Sequence, residues 1–161
     1  MRTGKKRIEY LKKIGVSEHV IRMAQGEILH EFLNSYTSPK YIYEMKSVPT
    51  NITPLWEIGY YLTAIIDRNN TTSFVEFSLD DIEETFELVG FTEQAPLSRL
   101  FLGAIEVSSL EDNELITKIE EASICTEFKY SDLLVDLLKQ NSSGDGKYFD
   151  NFHDLQEKTD W

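Results

Sequence analysis

Pro54-Leu55-Trp56-Glu57-Ile58-Gly59, running into Tyr60-Tyr61-Leu62-Thr63-Ala64-Ile65-Ile66, decides how this chain is read. Proline sets a turn, a large aromatic follows, glycine breaks the run, and a β-rich stretch opens. A second such stretch, 73–77, lies beyond the polar Asp67-Arg68-Asn69-Asn70-Thr71-Thr72. Two β-rich runs around a polar turn predict an antiparallel hairpin. A tryptophan after a proline and before a glycine at a strand's mouth predicts a plug in the end of a sheet, its indole N–H bonded to a carbonyl. The functional alternative for Trp56 is a part-exposed aromatic in a binding site.

On the N-terminal side, Ile8, Leu11 and Ile14 recur at helical spacing within 5–14, a short amphipathic helix with a cationic outer face. Gly15 ends it. Ser17 is placed to cap a second helix over 18–35 that buries Val20, Ile21, Ala24, Ile28, Leu29 and Phe32, weakened by Gly26. Pro39 breaks that helix, 41–45 reads as a strand, and Pro49 and Pro54 frame a loop at 50–53.

On the C-terminal side, Ser78 and Asp81 form a capping-box-like pair, predicting a helix over 79–89 with Leu79, Ile82, Phe86 and Val89 on its inner face. Gly90 then supplies the exit, with Phe91 folding back on Phe86. Residues 100–107 read as a strand with Gly103 marking a bulge. Ser109 and Asp112 open a helix carrying Leu115, Ile116, Ile119 and Ala122; 124–128 reads as a short strand. Ser131 caps a last helix with Leu133, Leu134, Leu137 and Leu138 as its buried stripe. Asn141-Ser142-Ser143-Gly144-Asp145-Gly146 is linker-like, and Tyr148, Phe152 and Leu155 lie on one face of a short acidic tail expected to dock. The chain is thus expected to be one α+β domain over 1–140, followed by a linker and amphipathic tail over 141–161. Its central sheet is mostly antiparallel, with N-terminal, middle and C-terminal helices packed around it.

The net charge of −12 is unevenly spread. Residues 1–50 carry nine Lys/Arg and five Asp/Glu, whereas 51–161 carry seven and 23. Such a surface repels phosphate backbones, which disfavours direct nucleic-acid binding. It favours encounter with a basic protein, although acidity also serves plain solubility. One cysteine, Cys125, makes no intramolecular disulfide, and no apolar run approaches the roughly 20 residues of a membrane helix. The expected compartment is the cytoplasm.

No motif points to catalysis or to a cofactor. His19, His30 and His153 lack metal-ligand spacing, and the glycines are too scattered for a phosphate loop. Cys125 as a nucleophile requires a histidine delivered by the fold; its apolar flanks read instead as core packing. The carboxylate pairs Asp80/Asp81, Glu83/Glu84, Glu111/Asp112 and Glu120/Glu121 sit on helix faces expected to be solvated, with no buried member to raise a pKa.

The order of features is a helical N-terminal third, Trp56 and Gly59 opening a hairpin, then 78–90 and further β and helical segments. In this it resembles the SUKH (Smi/Knr-like) superfamily of bacterial immunity proteins over roughly 20–140. Trp56 and Gly59 match that family's Trp and Gly at the start of the central sheet. The resemblance implies a non-catalytic α+β domain that binds and neutralises a cognate polymorphic toxin. A toxin nuclease must itself hold nucleic acid, so a basic partner fits the acidic balance. Glu83, Glu84, Glu87, Glu111, Asp112 and Glu114, with Trp56, are the candidate partner-binding residues. The alternatives are an intracellular regulatory or scaffold interaction domain, and an enzyme using Cys125 or a buried carboxylate.

Overall fold

The computed structural model describes residues 1–45, 51–68 and 71–141. Two short helices come first, α1 (Gly4–Lys13) and α2 (Glu18–Ala24), then 3₁₀ turns at Glu31–Leu33 and Tyr41–Glu44. Strands β1 (Ile52–Ile58), β2 (Tyr61–Arg68) and β3 (Thr71–Ser78) follow, then the one-turn helix α3 (Ile82–Thr85) and β4 (Glu87–Gly90). Helices α4 (Gln94–Glu106), α5 (Asp112–Thr126) and α6 (Ser131–Asn141) close the described chain. The strands pair in sequence order, each antiparallel to the next. The single α+β domain with a central antiparallel sheet is as expected.

Side chains alternate across a strand, so a run apolar at every position is a strand buried on both faces. Residues 62–66 come close to such a run, broken only by Thr63, and all five are buried. Ile65 and Phe74 point to the side holding α1, α2, α4, α5 and α6, with Leu55, Trp56 and Val89 in the same core. Leu62, Ala64, Ile66, Val75 and Phe77 point to the other side. There they are covered by Ile42 of the second 3₁₀ turn and by Leu79, Ile82 and Phe86. A long helix therefore backs one face, while short irregular segments back the other.

The hairpin, the first helix, the 112–126 helix and the last helix all form close to where the spacing puts them. Several other elements differ, each for a local reason. The 18–35 helix stops after Ala24, because Gly26 adopts φ +89 and its N–H turns back to the Met23 carbonyl at 2.8 Å. Where a strand over 41–45 is expected, Tyr41–Glu44 form a 3₁₀ turn, because the carboxylate of Glu57 collects the amides that open the turn. The 50–53 loop yields to β1, which tolerates Pro54 as an edge strand of the sheet.

The 79–89 helix shrinks to a single turn capped by Asp81, whose Oδ1 accepts the Glu84 N–H at 3.1 Å. The Thr85 hydroxyl then accepts the Ser78 N–H and donates to the Asp81 carbonyl. Phe86 leaves in extended conformation to stack on Phe77, and 87–90 become the fourth strand. Phe91 is exposed and does not return onto Phe86. Residues 100–107 belong to α4, whose Leu97, Leu100, Phe101, Ala104 and Ile105 repeat at helical spacing in the core. Pro96 lies in its first turn, where a missing N–H costs little. The 124–128 strand is the end of α5, stopped by Glu127 in the left-handed region. Ser109 does not cap α5, which begins after an extended Glu111. Of the expected linker and tail, 142–161 lie outside the described residues, as do Pro49 and Thr50.

Candidate functional site

Each expected contact residue has a definite place, and they do not share one surface. Trp56 is 1% exposed, packed on Tyr36 at 6.0 Å between ring centroids in the helix-side core. It plugs the sheet and is closed to a partner. Glu83 and Glu84 are exposed on α3, on the side of the sheet away from the long helices. Glu111, Asp112 and Glu114 are exposed at the start of α5, on the helical side. Glu87 is tied to Arg99 across β4 and α4. Beside it Glu76 pairs in register, and burial first, then the Glu87 charge, push the Glu76 carboxyl above its ordinary range against the pull of Arg99. A single acidic face running from 83 to 114 is therefore ruled out by the sheet between its parts.

One end of the sheet gathers a denser group. Ile58 and Tyr61 pair across β1 and β2, leaving Gly59 and Tyr60 as the connecting turn. Gly59 takes φ +58, the left-handed value such two-residue hairpin turns need. That turn throws Tyr60 outward at 61% exposure, with Tyr61 at 53% beside it. The 3₁₀ turn brings Tyr41, 51% exposed, against Tyr60 at 5.9 Å between ring centroids. Its position is fixed from beneath by Glu57, whose Oε2 accepts the amides of Lys40 at 2.9 Å and Tyr41 at 3.2 Å, while Oε1 accepts that of Ile42 at 3.0 Å. Glu57 is 1% exposed, so these are charge-assisted bonds in a dry setting.

The acids arrive by one backbone bond. The Tyr60 carbonyl accepts the Leu79 N–H at 2.7 Å, which anchors 78–84 at this end. Asp80, Asp81, Glu83 and Glu84 follow directly, all exposed, and Glu44 is exposed on the Tyr41 turn. None of these five makes an ion pair with a described residue. Lys40 and Lys46 are the cations that flank Glu44 in sequence. Tyrosine offers a large, rigid, amphipathic contact surface at small entropic cost, and unneutralised carboxylates around it select a cationic partner.

The tyrosines were the residues missed from sequence. Their signal was present: Gly59-Tyr60-Tyr61 lies in the deciding stretch, and a glycine-containing two-residue turn exposes its second residue. Elsewhere, His19 lies 3.5 Å from Glu127 and His30 3.5 Å from Glu121, at separate places. Cys125 is half-buried on α5. Among the described residues no group of three or more His, Cys, Asp or Glu is arranged to hold a metal, and no helix is long and apolar enough to cross a membrane. No family model, curated protein or solved structure matches this chain.

Proposed function

We propose that this chain is a protein-binding domain that engages a basic partner through the Tyr41–Tyr60–Tyr61 end of its sheet. The observation that carries the reading is the half-exposed Tyr41–Tyr60 pair, rings in tilted contact, flanked by acids that have no ion-pair partner among the described residues. Tyrosines supply the desolvated contact; Glu44, Asp80, Asp81, Glu83 and Glu84 steer the encounter and make it salt-sensitive. Inhibition by occlusion needs no more than this. The sharper form is a non-catalytic immunity protein that neutralises a toxin, and it rests on the order of features around Trp56 and Gly59.

The test is affinity capture from a native lysate, followed by calorimetry with the recovered protein. One basic partner, bound more weakly at high salt and about thirtyfold more weakly by Tyr60→Ala, supports the proposal; about 2 kcal/mol is the scale of an aromatic anchor. Charge reversal of Asp80, Asp81, Glu83 and Glu84 should slow association more than it speeds dissociation. Unchanged binding by both variants refutes the surface. Neutralisation of the partner's toxicity by wild type, lost in Tyr60→Ala, supports the immunity form; several unrelated partners favour a scaffold.

A further inference from the structure

The first turn of α1 reads Gly4-Lys5-Lys6-Arg7, with no acid in it. This is the wrong sign for the positive end of a helix dipole. Thr3 stands at the cap position, and its side chain makes no capping bond. The opening amides of α1 therefore keep their positive potential and three cationic side chains add to it.

Arg7 makes the anomaly sharper. It is 7% exposed, and its guanidinium donates to the Ala24 carbonyl at 2.9 Å and to the Tyr43 hydroxyl at 3.2 Å. Both partners are neutral. Among the described residues its Nε–H, itself shielded from solvent, has no partner, and no carboxylate lies within ion-pair distance. Buried charges are ordinarily paired, and arginine offers five N–H donors of which only two are used here. The buried carboxylate of Glu57 acts on Tyr43 too, but its oxygens already hold the amides of Lys40, Tyr41 and Ile42. Lys5 shares the solvated Glu9 at 3.8 Å.

Arg7, Lys5 and Gly4 line one cleft of about 490 Å³ with Gln25, Ser38 and Tyr43. That volume suits a small ligand rather than a lone ion. Gly4 contributes backbone without a side chain, and a Cβ there would meet nothing within 4 Å. The start of α1, a buried arginine, a lysine and three neutral polar residues thus border one opening, with Ile8 and Pro39 completing its wall. We propose that this cleft is a binding site for a small anionic ligand carrying a phosphate or phosphate-like group. Arg7 and the α1 amides hold the charge, and Gln25, Ser38 and Tyr43 read what is attached to it. The site is formed by α1, α2 and the 38–43 segment and does not depend on the protein-binding surface.

The experiment is an amide-resolved NMR titration of the full chain with inorganic phosphate and with glycerol phosphate at constant ionic strength, using chloride as control. The expected result is saturable shifts at Gly4, Lys5 and Arg7 with a Kd on the order of 1 mM or tighter. Arg7→Lys keeps the charge and loses the planar fork, and should weaken binding about tenfold. Because Arg7 is buried, exposed Gln25→Glu provides a second variant. Its carboxylate at the rim should abolish the phosphate shifts and raise the melting temperature without ligand. Vesicles containing phosphatidylglycerol form a separate arm. Binding that Gln25→Glu abolishes there identifies a lipid headgroup as the source, and phosphate binding with none to vesicles identifies a soluble ligand. Shifts that do not saturate, that chloride reproduces, or that both variants leave unchanged would overturn the assignment.

Discussion

Replacing Glu57 by glutamine tests what positions the proposed contact surface. The carboxylate sits in the dry interior and accepts three backbone amides, from Lys40, Tyr41 and Ile42. Bonds to a charged acceptor are worth roughly 1.5–3 kcal/mol and neutral ones about 0.5–1.5 kcal/mol. Glutamine keeps one carbonyl oxygen and turns the other position into a donor facing a donor. With that oxygen toward Lys40 and Tyr41, three charge-assisted bonds become two neutral ones, a gross loss of about 4 kcal/mol. The uncharged amide is easier to bury, which returns part of that. A net loss of about 2–3 kcal/mol corresponds to about 4–12 °C in Tm for a chain of this size. Thermal melts give the size, and hydrogen exchange gives the place: the amides of 40–42 should exchange faster by more than the global loss explains. Partner binding should weaken because Tyr41 is no longer held against Tyr60. A variant melting within about 1 °C of wild type, or with 40–42 protected as before, would refute the role given to Glu57.

Gly26→Ala should destabilise more than Gly15→Ala by urea titration. Both glycines have positive φ, costing about 1–2 kcal/mol, but a Cβ at Gly26 would also lie 3.1 Å from the Ser38 Cβ, whereas one at Gly15 meets nothing within 4 Å. Equal losses would contradict this packing. Glu76→Gln should stabilise at neutral pH, because burial raises the folded carboxyl above its unfolded value. The folded state then binds the extra proton, so wild-type stability rises as pH falls toward the unfolded value and the advantage of the variant disappears; an advantage unchanged by acid would refute the sign. Burial raises the phenols of Tyr10 and Tyr36 to about 12, the Asp67 carboxylate adding to the effect at Tyr10. Stability should hold up to the ordinary phenol value of about 10 and fall between there and about 12, since the unfolded chain ionises first. Two phenols titrating near the ordinary value in the folded protein would count against this.

Legibility from sequence followed the range of the forces involved. The hairpin was readable because its polar turn and both apolar runs are local. The start of α2 was readable because Ser17 caps it through its own neighbour, accepting the Val20 N–H. The 41–44 turn was not, because its cap is Glu57, brought from another element by the fold. Residues 87–89 read as the end of a helix because their spacing suits one, yet pairing with β3 offers a sheet edge that an isolated helix turn does not match. In α4 the helical spacing was present, and Gly103 within it, read as a strand bulge, obscured it. The acids were easy to list and hard to place: charge carries no information about which side of a sheet a segment will cover. Tyr60 was hidden for the opposite reason, as an aromatic beside a strand reads as core until the turn around Gly59 is known.

The β1 edge bears on the way any partner must bind. Many recognition domains capture a peptide by letting it extend an open sheet margin, so that main-chain bonds supply affinity and sequence matters little. Here Pro54 lacks the N–H such an addition needs, the pairing with β2 shifts register between Pro54 and Trp56, and Glu57 already exchanges backbone bonds with Thr37 at 2.8 and 2.9 Å. That margin is closed to a visiting strand, whether from a ligand or from a misfolded copy of the same chain. Recognition at this end of the molecule is left to side chains, and so to the identity of the partner.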